Sequence, residues 1–267
     1  MMLRGIYAIV VLDMKRFWLD RARLVAGLAQ PLLYLFVLGA GIGSSMGGSM
    51  GGGAYKPFIF PGVLGLSQLF TATFAAITIV FDRQIGFFKA VLVSPVPRPA
   101  IALGKIAAGA LQAYLQGLVV LPFAWLAGVP FSFVSTVALL GAMALASVTF
   151  SALGVAVAAR FTSTTVFPIV SNAVLLPMFF LSGALYPLKS PTTPHWMQVA
   201  AHLDPVAYAV DLMRGALLGP NYLFFSPWLS LPVLAGMITL LTWLAVRVFN
   251  RGEDDSSLGA TNFNWRR

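Results

Sequence analysis

The chain contains no cysteine, which excludes disulfide staples and thiolate metal sites. Charge is nearly as scarce. Seventeen Lys and Arg with eight Asp and Glu make up 9% of 267 residues, against 59% hydrophobic. Soluble domains carry roughly 25% charged residues, so this chain cannot build a water-facing surface. The charges it has are clustered: residues 24–55, 57–81, 106–159, 161–188 and 215–246 hold no Asp, Glu, Lys or Arg. A charge at mid-bilayer costs roughly 2.5–3.5 kcal/mol, and a crossing helix needs about 20 apolar residues. Charge-free stretches of this length are what repeated crossing requires. Open sheets are excluded, because their edges would leave backbone groups unpaired in lipid.

What remains is an all-α polytopic membrane protein, a single transmembrane domain over 1–267. The stretch 106–159 is long enough for two crossings with a turn at Gly128-Val129-Pro130. The expected spans are 24–42, 58–81, 103–127, 133–158, 166–186 and 228–248. Six crossings put both termini on one side. That side would carry fourteen basic residues, in the leader, around Arg83 to Lys105, at Arg160 and after Val246; the other would carry Lys56, Lys189 and Arg214. The positive-inside bias then places both termini in the cytoplasm of an inner-membrane protein. The net charge of +9 follows from this topology and from anionic lipid, so no nucleic-acid partner is expected.

Residues 1–23 read as an interfacial helix, not as a cleavable signal, since Asp13, Lys15 and Arg16 interrupt the apolar run. Leu3, Ile6, Tyr7, Val10, Met14, Phe17 and Trp18 share one arc at helical spacing. Arg4, Asp13, Lys15, Arg16 and Asp20 lie opposite, although Ile9 and Leu12 break that polar side. Residues 43–53 are glycine-rich and read as a flexible external loop. A phosphate cradle needs GxxxxGK[ST]. Gly104-Lys105 has Pro99 at the first glycine position and Ile106 after the lysine. No nucleotide site, cofactor or catalytic residue is therefore expected. His195 and His202 lack a third ligand nearby, so no metal is expected either.

Two segments stand out. Within 82–99, Asp82 can cap a short helix to about Val93, ended by Ser94-Pro95. Ile85, Phe88, Val91 and Leu92 would share its apolar face, and Pro95, Pro97 and Pro99 stiffen the return. Such a helix either relays force from a partner or is an ordinary interfacial loop. In 187–227, Asp211 and Arg214 are three apart, neighbours on a helix, either as a pair shielded in the outer leaflet or as a water-exposed one.

The order Asp82, Arg83, Gln84, Gly86, then Leu92, Ser94, Pro95, Val96, then Gly104, Lys105 resembles the coupling segment of ABC-2-type transporter permeases, especially the daunorubicin-resistance branch. Ala90 stands where many relatives carry Glu. The stretches Leu181-Ser182-Gly183 with Tyr186-Pro187, Asp204-Pro205-Val206-Ala207-Tyr208 and Asp211-Leu212-Met213-Arg214-Gly215 resemble that family's external re-entrant hairpin, with Asp204 where Asn is usual.

The resemblance implies a dimeric permease, of identical or paralogous copies, joined to two separately encoded ABC ATPase subunits that carry the ATP and Mg. It assigns ATPase coupling to Asp82, Arg83, Gln84, Gly86, Phe87, Phe88, Lys89, Leu92 and Pro95. It assigns cavity lining to the second and fifth spans, here Thr71, Phe74, Thr78, Phe167, Asn172, Met178 and Phe179, and the re-entrant region to Asp204, Pro205, Tyr208, Asp211 and Arg214. The implied function is export of an amphipathic or apolar compound such as a drug or lipid. Export of a lipid-linked saccharide and a non-transporting assembly role are the alternatives.

Overall fold

A computed structural model describes residues 2–39, 41, 55–84, 97–129, 131–191 and 193–251. All regular elements among them are helical. Helix α1 is Met2–Leu19 and α2 is Arg21–Leu33. Asp20 caps α2, its carboxylate accepting from Arg23 N at 3.1 Å. Pro31 has no N–H to continue the ladder, and the next residues, Tyr34–Leu38, widen into a π turn.

Helix α3 is Tyr55–Ala75, and after a one-residue break at Ala76 the chain continues as α4, Ile77–Gln84. Helix α5, Arg98–Val120, starts with Pro99 in its first turn and ends in the 3-10 turn Leu121–Ala124. Gly128 (φ 73°) reverses the chain, a conformation open to glycine, and α6 follows as Phe133–Ala158. Then come α7, Val166–Leu181; α8, His195–Leu203; α9, Pro205–Leu218; and α10, Pro227–Arg251.

Five segments are long and apolar enough to cross a membrane: Arg21–Leu38, Tyr55–Gln84, Pro99–Ala124, Phe133–Ala158 and Pro227–Phe249. The fifth expected span, 166–186, is shorter than expected. Its helix has 16 residues, about 24 Å at 1.5 Å each, less than a bilayer core of about 30 Å. It stops where Gly183 turns at φ 71°. The structure thus offers five helices of spanning length and one shorter apolar helix where the sequence suggests six crossings. The glycine-rich stretch 43–53 lies outside the described residues.

Helix α3 is the axle of the fold, buried on almost every face from Phe58 to Thr73. Helices α5, α6 and α9 pack around it. Small residues set the separation of the helices: a Cβ at Gly154 of α6 would come within 2.7 Å of Thr73 Cα. Ala146, two turns before it on the same helix, is fully buried as well, and small residues of this kind let helix backbones approach closely. Gln68, fully buried on α3, donates to Ser147 Oγ at 3.0 Å and to the Met143 carbonyl at 3.3 Å. Polar glue of this kind between membrane helices contributes roughly 1 kcal/mol.

At one end of the axle, Gly62 lies directly against the Ala184 carbonyl, leaving no room for a side chain. We expect Gly62→Val to lower the thermal unfolding midpoint of the detergent-solubilised protein, a loss of about 1–3 kcal/mol. Gly236→Ala in α10, where nothing stands within 4 Å, should leave the midpoint unchanged or raise it.

Candidate functional site

At the α1 end of the bundle, charge is buried. Lys105, on the second turn of α5, reaches inward with only 7% of its surface exposed. Its Nζ lies 2.9 Å from Asp82 Oδ2, 3.0 Å from Asp13 Oδ2 and 3.1 Å from Thr78 Oγ1. Arg16 adds a second cation, its Nη1 3.0 Å from Asp82 Oδ1 and 3.6 Å from Asp13 Oδ1. Gln112, two turns further along α5, donates to the Asp13 carbonyl at 3.2 Å. Asp13 and Asp82 are each 3% exposed. Two cations facing two carboxylates, with every ammonium donor engaged, is the arrangement that makes burying such charges tolerable.

This cluster joins α1, α4 and α5 in space, although Asp13 and Lys105 are 92 positions apart. It bears on two expectations. Asp13 belongs to a polar face that should have been solvated, yet it is buried with Gly5 and Phe17, while Arg4, Lys15 and Asp20 of that face stay exposed. Leu3, Tyr7 and Trp18 are exposed as well. Ile9, which spoils the polar side in sequence, is seated against Gly104, where an added Cβ would meet it at 3.0 Å. Asp82 is expected to cap a helix to about Val93, which lies outside the described residues. Asp82 itself lies in the last turn of α4, and its carboxylate is spent on Lys105 and Arg16.

The next two residues hold the other side. Arg83 Nη1 donates to the Ala159 carbonyl at 2.7 Å and to the Phe161 carbonyl at 3.4 Å, and its guanidinium lies 5.5 Å from the Phe249 ring centroid in α10. Gln84 donates to the Thr162 carbonyl at 3.0 Å and accepts from Thr164 Oγ1 at 3.2 Å. Asp82, Arg83 and Gln84 thus anchor the end of α4 to α1, α5, the α6–α7 connection and α10. Gly86, Phe87, Phe88, Lys89, Leu92 and Pro95 lie outside the described residues. The chain is described again from Pro97, the residue before α5.

At the opposite end, α8 and α9 form a two-helix unit between α7 and α10. Asp204 caps α9, accepting from Val206 N at 2.9 Å, with Pro205 in the first turn. Tyr208 stacks on Phe225 at 4.1 Å and donates to the His202 carbonyl at 3.0 Å. Asp211 and Arg214 are both buried, but each has partners of its own in place of the other. The Asp211 carboxylate accepts from Phe224 N and Phe225 N at 2.8 and 2.9 Å, closing the loop before α10. Arg214 donates to the Gly183 and Ala184 carbonyls at 3.0 and 3.2 Å and covers the Phe58 ring at 4.1 Å. Burial pulls the Arg214 guanidinium down to about 10, with Asp211 working against the shift. It pushes the Asp211 carboxyl up, opposed by its two backbone bonds.

The residues expected to line a cavity do not converge within one chain. Thr71 and Phe74 border a groove between α2 and α3. Thr78 belongs to the Lys105 cluster. Phe167 and Phe179 are fully buried, the former against Phe161 and the latter against Tyr34. Asn172 and Met178 are half-buried on α7.

Two outcomes follow from these charges. Lys105→Met leaves two buried carboxylates facing Arg16 alone, and we expect it to cost about 3–5 kcal/mol, read as a lower unfolding midpoint. Adding Asp13→Asn and Asp82→Asn to that variant should recover most of the loss. The Asp204 carboxyl, buried with Oδ2 unpartnered, is raised to about 7 by burial against a weaker opposing pull from Val206 N. Its folded value exceeds the unfolded one of about 3.9, so its share of stability is full below about pH 4 and is lost as pH rises towards about 7. Asp204→Asn keeps an acceptor for Val206 N. The variant should therefore lose less stability than the unaltered chain between pH 5 and pH 8 in parallel unfolding measurements.

Comparison with known proteins agrees with this layout. The ABC-2 type transporter family model matches residues 4–218, the region from α1 through α9. Nodulation protein J of Rhizobium leguminosarum bv. trifolii is 35% identical over 200 residues, 74% of this chain and 75% of that protein. Nodulation protein J of Rhizobium meliloti is 33% identical over the same shares of both chains. The doxorubicin resistance ABC transporter permease protein DrrC of Mycobacterium tuberculosis is 28% identical over 233 residues, 85% of this chain and 77% of that one. A helical membrane bundle with this match over most of its length belongs to the ABC-2 type transporter family.

Proposed function

We propose that the chain is the membrane-spanning subunit of an ATP-driven exporter, working as a dimer with two copies of a separate cytoplasmic ATPase that holds ATP and Mg. The observation that carries this reading is the triple anchor at Asp82-Arg83-Gln84. Residues 85–96 join the firmly tied end of α4 to α5, which carries Lys105 of the same cluster. A push on that segment is delivered at once to α1, α5, the α6–α7 connection and α10. Both termini and the 85–96 segment face the cytoplasm of the inner membrane, in keeping with the basic residues gathered there. The α8–α9 pair dips into the outer leaflet from the other side, its charges shielded by the bonds of Asp211 and Arg214.

The cargo is an amphipathic or apolar compound such as a drug or lipid. The groove between α2 and α3, walled by Phe70 and Phe74 with Thr71 beside them, suits such a molecule better than a fully charged one. Likeness to the permease DrrC supports the drug reading. A lipid-linked saccharide is the second reading, favoured by the hydroxyl and amide groups of Ser67, Thr71 and Gln30 along the α2–α3 groove.

The test is reconstitution. The purified chain alone should not hydrolyse ATP, while the complex with its co-purifying ATPase should hydrolyse ATP and move a fluorescent amphiphile across the vesicle membrane. Arg83→Glu, which turns the grip on the Ala159 carbonyl into repulsion, should keep the ATPase bound and lower transport per ATP at least about tenfold, as loss of a charged hydrogen bond of about 1.5–3 kcal/mol would. Normal transport by Arg83→Glu would remove the proposed route, and failure to associate with any ATPase would favour an assembly role instead.

A further inference from the structure

A groove of about 520 Å³ opens between α2 and α3 at the α1 end of the bundle, within the usual range for small-molecule sites. A recess of about 20 Å³ continues it inward, sharing Gly27, Gln30, Phe70 and Thr71 and ending at Ser67. The groove is graded in chemistry. At its mouth, Arg23 spends one donor on the Thr71 carbonyl at 3.3 Å, and among the described residues the rest of its guanidinium fork makes no further hydrogen bond. Asp20 also borders the mouth, but one of its oxygens is committed to the α2 cap. Phe70 and Phe74, stacked at 5.8 Å, supply the apolar wall with Ile77. At the inner end, Ser67 is 3% exposed and its Oγ has no hydrogen-bond partner. Behind Gly27, the buried Gln116 Nε2 is also unpartnered, standing 3.0 Å from where a Cβ on that glycine would be. Buried polar groups without partners carry a cost of about 1–3 kcal/mol each. Ser67 lines the recess itself, and its hydroxyl calls for a partner from outside the described residues.

The geometry points to a binding site for an anionic amphiphile in the leaflet next to α1, its head at Arg23, its chain along Phe70 and Phe74, and a carbonyl, amide or hydroxyl meeting Ser67. Thr71 and Ser67 are four residues apart on α3, about 6 Å along the helix axis. The ligand therefore carries its second polar group about that far from the charged head, as where a phosphate joins an ester- or amide-linked chain. The cation at the mouth selects a negative head, the aromatic pair selects an apolar body, and the deep hydroxyl rejects a plain hydrocarbon. The site lies within one protomer, between α2 and α3, and it rests on the exporter reading only in being its point of cargo entry.

The experiment measures binding with no ATPase present, so its failure and that of the exporter reading are separable. The full-length chain in phosphatidylcholine nanodiscs is titrated with lysophosphatidic acid, dodecyl phosphate or inorganic phosphate, with the unfolding midpoint as readout. Lysophosphatidic acid should raise the midpoint saturably and at lower concentration than dodecyl phosphate, which lacks the ester carbonyl, while inorganic phosphate should have no effect. Arg23→Gln should raise the half-saturating concentration of both amphiphiles at least about tenfold. Ser67→Ala should leave the unliganded midpoint unchanged, because its hydroxyl has no bond to lose, and should remove the advantage of lysophosphatidic acid over dodecyl phosphate. Equal protection by inorganic phosphate, or identical titrations for the unaltered chain and Arg23→Gln, would overturn the proposal. An unchanged lysophosphatidic acid advantage in Ser67→Ala would assign the recess to a water and overturn the two-point recognition.

Discussion

The structure depends on one ammonium group held between two carboxylates. Lys105 is carried by a helix whose surface is largely buried in the bundle, and an unpaired cation there would be expelled or would neutralise itself. Asp13 and Asp82 let it stay, and in doing so they decide where two other helices go. The interfacial α1 cannot rotate without exposing Asp13. The end of α4 cannot move without taking Asp82 from Lys105 and Arg16. An apolar contact would also fasten these helices, but it is non-directional and would tolerate sliding. The ionic one fixes register, and breaking it leaves charge stranded.

The two ends of the bundle use different chemistry for the same purpose. At the α1 end, the Lys105 cluster bonds side chain to side chain across α1, α4 and α5. At the other end, side chains bond backbone: Arg214 gathers the carbonyls after α7, and Asp211 gathers the amides before α10. Backbone partners cannot change rotamer, so the α9 end is tied to chain path and not to particular neighbours. The axle α3 runs between them, pinned by Arg214 over Phe58 at one end and, through α4, by Asp82 at the other.

Much of this was legible in the residues. Charge-free stretches and turn glycines placed nearly every long helix, because the lipid cost of a charge is large and local. Asp82 reads locally as a helix cap, whereas in the structure it lies in the last turn of α4 and bonds Lys105 and Arg16: capping is a short-range rule, and the partner of Asp82 is chosen by tertiary packing. Asp13 was hidden for the same reason. Nothing within a helical turn of it announces a lysine some ninety positions later. The one local clue was Ile9, four residues before Asp13 on the same stripe of α1 and seated against Gly104. Asp211 and Arg214 were found by spacing, yet spacing cannot say that backbone groups outcompete a neighbouring side chain. The length of α7 was overestimated because Gly183 and Tyr186 extend an apolar run without extending the helix.

Helix α2 is fastened loosely. It is apolar and of spanning length, but little of its surface is buried by its own chain, and the same holds for α10. A π turn after Pro31 also interrupts the ladder of the α2 segment. Each of these helices therefore keeps a broad apolar flank that only lipid or another chain can cover, and what such a flank rests against is chosen by its neighbours in the membrane and not by the fold alone.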